Sequence, residues 1–150
     1  MDRYLPEDWI LPALDDGNRD FFTSGRLALQ RCVECGTVQH PPEDVCRSCQ
    51  SQRLEAAEAE GNGRIYSFSI VHHPLGPKLA GSVPYNVALI QLDDHPHVRI
   101  VGNVCDPDEG PLEIGQRVRA VWTTVPDPHS DEPLRLPQWV RGEPAGPQAE

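Results

Sequence analysis

Four cysteines hold the clearest chemistry in the chain. Cys32-x-x-Cys35-Gly36 is followed, ten residues on, by Cys46-x-x-Cys49. Each Cys-x-x-Cys turn aims two thiolates at one point, and two such turns complete a tetrahedral sulfur set. Gly36 supplies a position that tolerates positive φ, which lets backbone N–H groups turn toward the sulfurs. Pro41-Pro42 stiffens the connection and lowers the entropy lost when the site closes.

Two disulfides are the competing reading, but cysteines two apart make a poor structural bridge and no secretory leader argues for an oxidising compartment. A closed four-thiolate set on a short ribbon favours structural, redox-silent zinc over iron. A rubredoxin-like electron carrier is the lesser alternative, because aromatic cover around the knuckles is thin. The cofactor expected is zinc at Cys32, Cys35, Cys46 and Cys49.

A lobe this small needs such a clamp, since it cannot bury enough apolar surface to offset its ordering entropy. The 150 residues carry a formal charge of −10. Four thiolates and one dication move that to −12. Arg31, Arg47 and Arg53 beside the knuckles either offset this excess or are solvated surface charges. Lys78 is the one lysine in an acidic chain with scattered arginines, so there is no basic stripe for a nucleic-acid backbone. With no transmembrane-length apolar run and no leader pattern, the sequence predicts a cytoplasmic protein without membrane contact.

The elements that must position the cysteines follow from pattern. Residues 1–25 form an apolar segment with Trp9, Ile10 and Leu11, then a short helix over Arg19–Ser24 carrying Phe21 and Phe22 and ended by Gly25. Trp9, Phe21 and Phe22 are candidate partner anchors, because buried aromatics often dominate interface energy; docking on the chain's own body is the alternative for Trp9. Residues 26–60 form the ribbon, opened by a strand with Leu27 and Leu29 on one face. Gly61-Asn62-Gly63 marks a break.

From there the apolar residues alternate. Runs over Arg64–Val71, Tyr85–Leu92, His97–Val104, Gln116–Thr124 and Leu134–Val140 read as five strands of a small barrel spanning 61–140, with Pro137 confining the last to an edge. Leu112 and Ile114 are expected to plug the barrel from the turn over Asp106–Gly115. Residues 141–150 read as a disordered tail. The fold class is therefore mainly β.

Other reactive residues form no recognisable constellation. His72-His73 could serve as acid and base, but no nucleophile follows at a telling spacing. Cys105 reads as a small buried hydrophobe rather than a reactive thiol. The long loop Pro74–Pro84 holds Lys78, which either meets a phosphate or is a solvated tip.

The succession Leu27-x-Leu29-Gln30-Arg31-Cys32-x-x-Cys35-Gly36, Pro41-Pro42, the second knuckle, Gly61-x-Gly63-x-Ile65-Tyr66-Ser67-Phe68, Pro84-Tyr85-x-Val87-Ala88-Leu89, Gly102-Asn103 and Ile114-Gly115 resembles the zinc-ribbon plus OB-fold proteins associated with acyl-CoA metabolism. The resemblance covers roughly Asp15 to Trp139. It implies an N-terminal helix and rubredoxin-like zinc ribbon followed by a five-stranded OB-fold barrel. It also implies an accessory, non-catalytic role beside a thiolase-like or aldolase subunit, with acyl-CoA met through the complex and steroid side-chain degradation as one setting. The family's ligands carry over onto the four cysteines, and Lys78 and Tyr85 are where CoA would be sought. A single-strand nucleic-acid binder is the alternative function; it needs a positive groove and stacking aromatics that a −10 chain with nine aromatics supplies poorly.

Overall fold

A computed structural model describes residues 4, 6–106 and 110–142. After an N-terminal strap come helix α1 (Arg19–Thr23) and strands β1 (Leu27–Cys32), β2 (Val38–Gln39) and β3 (Leu54–Ala59). The barrel strands are β4 (Asn62–Val71), β5 (Tyr85–Leu92), β6 (Arg99–Gly102), β7 (Arg117–Val125) and β8 (Leu134–Arg141), with a 3-10 helix over Pro77–Ser82.

Helix α1 starts where Asp15 and Asn18 exchange side-chain and backbone hydrogen bonds, and it stops before Gly25 at φ +72°. The ribbon is a three-stranded antiparallel sheet ordered β2-β1-β3. β3 lies in a charged, alanine-rich stretch with weak strand propensity. Pairing along the whole of β1, from Leu27 opposite Ala59 to Cys32 opposite Leu54, makes it a strand.

The second sheet runs β6-β5-β4-β7-β8. It nearly closes into a barrel through a parallel bridge between Val104 and Trp139. There the Trp139 N–H donates to the Asn103 carbonyl at 2.9 Å and the Cys105 N–H donates to the Trp139 carbonyl at 2.8 Å. Alternation along β5 is regular, with Asn86, Ala88, Ile90 and Leu92 inward. Along β4 it is not. A bulge between Ile65 and Ser67 shifts the register, so Ile65 is buried, Tyr66 turns outward and Phe68 packs inward opposite Ala88.

One hydrophobic cluster spans both sheets, joining Phe21, Leu27, Leu29 and Val38 to Ile65, Ile90, Ile100, Val118 and Trp139. Each such large side chain contributes about 1.5–3 kcal/mol on full burial. Ribbon and barrel are also tied by polar contacts. His97, expected within a strand, sits in the turn before β6, and its Nε2 lies 2.9 Å from the Val38 carbonyl. The Glu60 N–H donates to Asp94 at 2.8 Å.

Two further expectations are corrected. Leu112 does pack on the core, but Ile114 is 71% exposed and plugs nothing. β8 continues to Arg141, whose buried guanidinium bonds to Asp106 and to the carbonyls of Gly110 and Pro111. The rest of the expected tail, 143–150, lies outside the described residues.

Candidate metal centre and adjoining groove

The two knuckles are built alike. In the first, Gly36 N–H donates to the Cys32 carbonyl at 2.9 Å and Cys32 N–H to the Thr37 carbonyl at 2.9 Å. In the second, Gln50 N–H donates to the Cys46 carbonyl at 2.8 Å and Cys46 N–H to the Ser51 carbonyl at 2.8 Å. Gly36 (φ 74°) and Gln50 (φ 63°) occupy the same left-handed position. Glycine takes it without cost, whereas Gln50 adopts it against its side chain's preference, so the second turn is held by its surroundings.

The four sulfurs lie within 4.8 Å of one another, with Cys32–Cys49 and Cys35–Cys46 both at 3.6 Å. A disulfide needs about 2.05 Å, and all four thiols are free. Metal–sulfur bonds of about 2.3 Å in a tetrahedron give edges of about 3.8 Å, so the set fits one ion.

The electrostatics agree. The Thr37 hydroxyl, 3.1 Å from Cys35 Sγ, and the Thr37 amide lower the Cys35 pKa. The Cys49 amide lowers that of Cys46 to about 6 against the effect of burial. At Cys49 the Ser51 amide favours the thiolate, yet the sulfurs of Cys32 and Cys35 outweigh it and push the pKa up to about 12. Four thiolates this close cannot ionise together without a cation among them. Arg31, Arg47 and Arg53 do not supply it, since they pair with Glu55, Glu43 and Glu34.

Beside the ribbon a groove of about 730 Å³ opens between strap, helix, ribbon and barrel. Trp9, Phe21, Phe22 and Tyr85 all line it, so four of the residues singled out for partner or CoA contact share one surface. Trp9 meets Tyr85 edge-on with ring centroids 5.2 Å apart, and Phe21 meets Phe22 at 5.0 Å. Trp9 therefore packs on the chain's own body. The strap is pinned upstream, where the Tyr4 N–H donates to Gln138 and the Tyr4 hydroxyl accepts from the Asn86 side chain at 2.7 Å. His40 also lines the groove, its ring tilted 36° against that of Phe21 with centroids 4.7 Å apart. Burial, with the nearby Arg47 charge, pushes its pKa down to about 4.

Lys78 stands apart on the exposed 3-10 helix and does not line the groove. His72 and His73 are exposed after β4. Burial, reinforced by Asp106, pushes the Cys105 thiol up to about 11, so it is a weak nucleophile. Sequence reasoning passed over Arg99 and Val101, which also line the groove. The available signal was their outward place between the inward Val98, Ile100 and Gly102.

Residues 19–55 match the ChsH2 rubredoxin-like zinc ribbon domain, and residues 56–123 match the ChsH2 C-terminal OB-fold domain. A probable enoyl-CoA hydratase alpha subunit from Thermomonospora curvata is 36% identical over 93% of this chain, which spans only 41% of that protein. A DUF35 domain-containing scaffold protein from Methanothermobacter thermautotrophicus is 32% identical over 70% of the chain and 77% of its own length. The 3-oxo-4,17-pregnadiene-20-carboxyl-CoA hydratase alpha subunit of Mycobacterium tuberculosis is 33% identical over 82% of the chain and 39% of that protein. Among solved structures, a chain of an Ltp2-ChsH2(DUF35) aldolase superposes with TM-score 0.70 at 35% identity, covering 87% of this chain and 98% of that one. A four-thiolate ribbon packed on a nearly closed five-stranded barrel, with relatives matching along most of both, makes this chain a member of the ChsH2/DUF35 family of zinc-ribbon and OB-fold proteins.

Proposed function

We propose that this chain is a non-catalytic accessory subunit of an acyl-CoA-processing complex, paired with a thiolase-fold aldolase, lyase or thiolase. The ion among the four cysteines is structural zinc, and steroid side-chain degradation is the narrower setting. The observation that carries the reading is the likeness, over nearly the whole of its length, to a chain of an Ltp2-ChsH2(DUF35) aldolase. The names of two relatives as hydratase alpha subunits, and of another as a scaffold protein, support it further.

Among the described residues the chain's own potential nucleophile and bases are scattered: Cys105 is half-buried with a raised pKa, and His72 and His73 face solvent. Its contribution is positional. Docking through Phe22, backed by the buried Phe21 and by Trp9 packed on Tyr85, holds partner loops over a bound thioester, with Tyr85 and Lys78 on the CoA side. Ordering reactants in this way can lower a barrier by several kcal/mol without a new reacting group.

Co-expression with a thiolase-fold subunit from the same host tests this. A stable complex is expected, and Phe22→Ala weakens it about tenfold while bound metal stays unchanged. A candidate partner that is monodisperse and fully active alone rejects the pairing. Loss of metal on Phe22→Ala reassigns that ring to the ribbon's own core.

A further inference from the structure

The groove carries one formal charge among its described lining residues. Arg99 projects from the outer face of β6, and its guanidinium lies 3.9 Å over the centre of the Tyr66 ring. Stacking holds the guanidinium by its face and leaves its N–H edge free for a bidentate acceptor. Among the described residues no carboxylate pairs with it. Two other polar groups of the wall are already committed: Asn103 donates to the Asn86 carbonyl, and Gln138 accepts from the Tyr4 N–H, while the neutral His40 ring keeps one nitrogen, Nδ1, without a partner among the described residues. Around them the surface is aromatic and aliphatic. Val101 at 66% exposure and Ile10 at 84% leave an apolar rim in water. A volume of about 730 Å³ lies within the usual range of small-molecule sites.

We infer that this groove binds a monoanionic amphiphile, its carboxylate on Arg99 and its apolar body along Trp9, Phe22, Tyr85 and Val101. The charge balance selects the class. One guanidinium in a chain of −10 offsets one negative charge, whereas a polyphosphate would meet the repulsion of the whole molecule. An uncharged apolar ligand would leave the guanidinium edge unsatisfied once the groove was filled. The inference goes beyond the docking reading, since it needs no partner.

The test uses the metal-loaded full chain and two probes, dodecanoate below its micellar concentration and dodecanol below its solubility limit, followed by calorimetry and by tryptophan fluorescence. Saturable 1:1 binding of dodecanoate is expected, at least tenfold tighter than dodecanol. Arg99→Gln should remove that preference while leaving dodecanol within twofold. Val101→Glu should abolish both without shifting the melting temperature. Absence of saturable binding, or equal affinity for the two probes with Arg99→Gln silent, overturns the inference. A chain that forms the partner complex yet ignores both probes also overturns it, and leaves the docking reading standing.

Discussion

Gly102 lies flat against the indole of Trp139. A Cβ on Gly102 would sit 2.7 Å from the Trp139 ring, and that ring is wholly buried beside the bridge that closes the barrel. The sheet can close because one strand has no side chain where the other has its largest. Gly102→Ala should therefore destabilise the protein by about 1–3 kcal/mol, the usual cost of overpacking. Chemical denaturation reads this, and an unchanged midpoint would mean that the indole has room to move.

Asn86 secures the same seam. Its side-chain amide donates to the Val104 carbonyl at 2.9 Å and its oxygen accepts from the Val104 N–H at 2.8 Å. Asn86→Ala strands both buried groups, at about 1–3 kcal/mol. Asn86→Asp sets an acceptor against the Val104 carbonyl and should cost at least as much. Tyr4→Phe loses the two hydrogen bonds its hydroxyl accepts from Asn86 but leaves the Asn86–Val104 pair intact, so the expected order of melting temperatures is wild type, Tyr4→Phe, then the two Asn86 variants.

His40 makes stability depend on pH. In the folded chain its pKa is about 4, mainly through burial, against an unfolded value of about 6.5. Between these values the unfolded state takes up a proton that the folded state refuses. Stability is therefore full above about pH 6.5 and falls toward pH 4, by up to about 3 kcal/mol. His40→Leu should flatten that part of the wild-type profile, measured as the difference between the two proteins at each pH. Parallel profiles would place the ring in water.

Removal of the metal should unfold the ribbon before the barrel. Structural sites of this kind supply about 10–16 kcal/mol of binding energy in small zinc domains. A chelator strong enough to strip the ion, or Cys46→Ser, is expected to erase amide protection over β1 and β2 while β5 and β7 retain theirs. Exchange mass spectrometry distinguishes this from loss of the whole fold, which would mean that the shared core cannot survive without the clamp.

Much was legible in order along the chain. The knuckles are local turns whose geometry follows from cysteine spacing and a left-handed residue, so the ligand set could be read without tertiary knowledge. The alternation of β5 could be read likewise, because one face packs inward along its whole length. β3 could not, since Leu54–Ala59 becomes a strand only through its pairing with β1. Nor could the shift after Tyr66 that turns Phe68 rather than Ser67 inward, where a bulge alters parity without any glycine or proline to announce it.

By itself, then, the sequence determined the four-sulfur centre, the barrel class and the family, because each depends on near neighbours in the chain. Only the tertiary structure decided that Trp9, Phe22, Tyr85 and Arg99 form one surface and that Lys78 stands outside it. Those residues come from the strap, the helix and two barrel strands. What joins them is packing across distant segments, and no spacing along the chain encodes it.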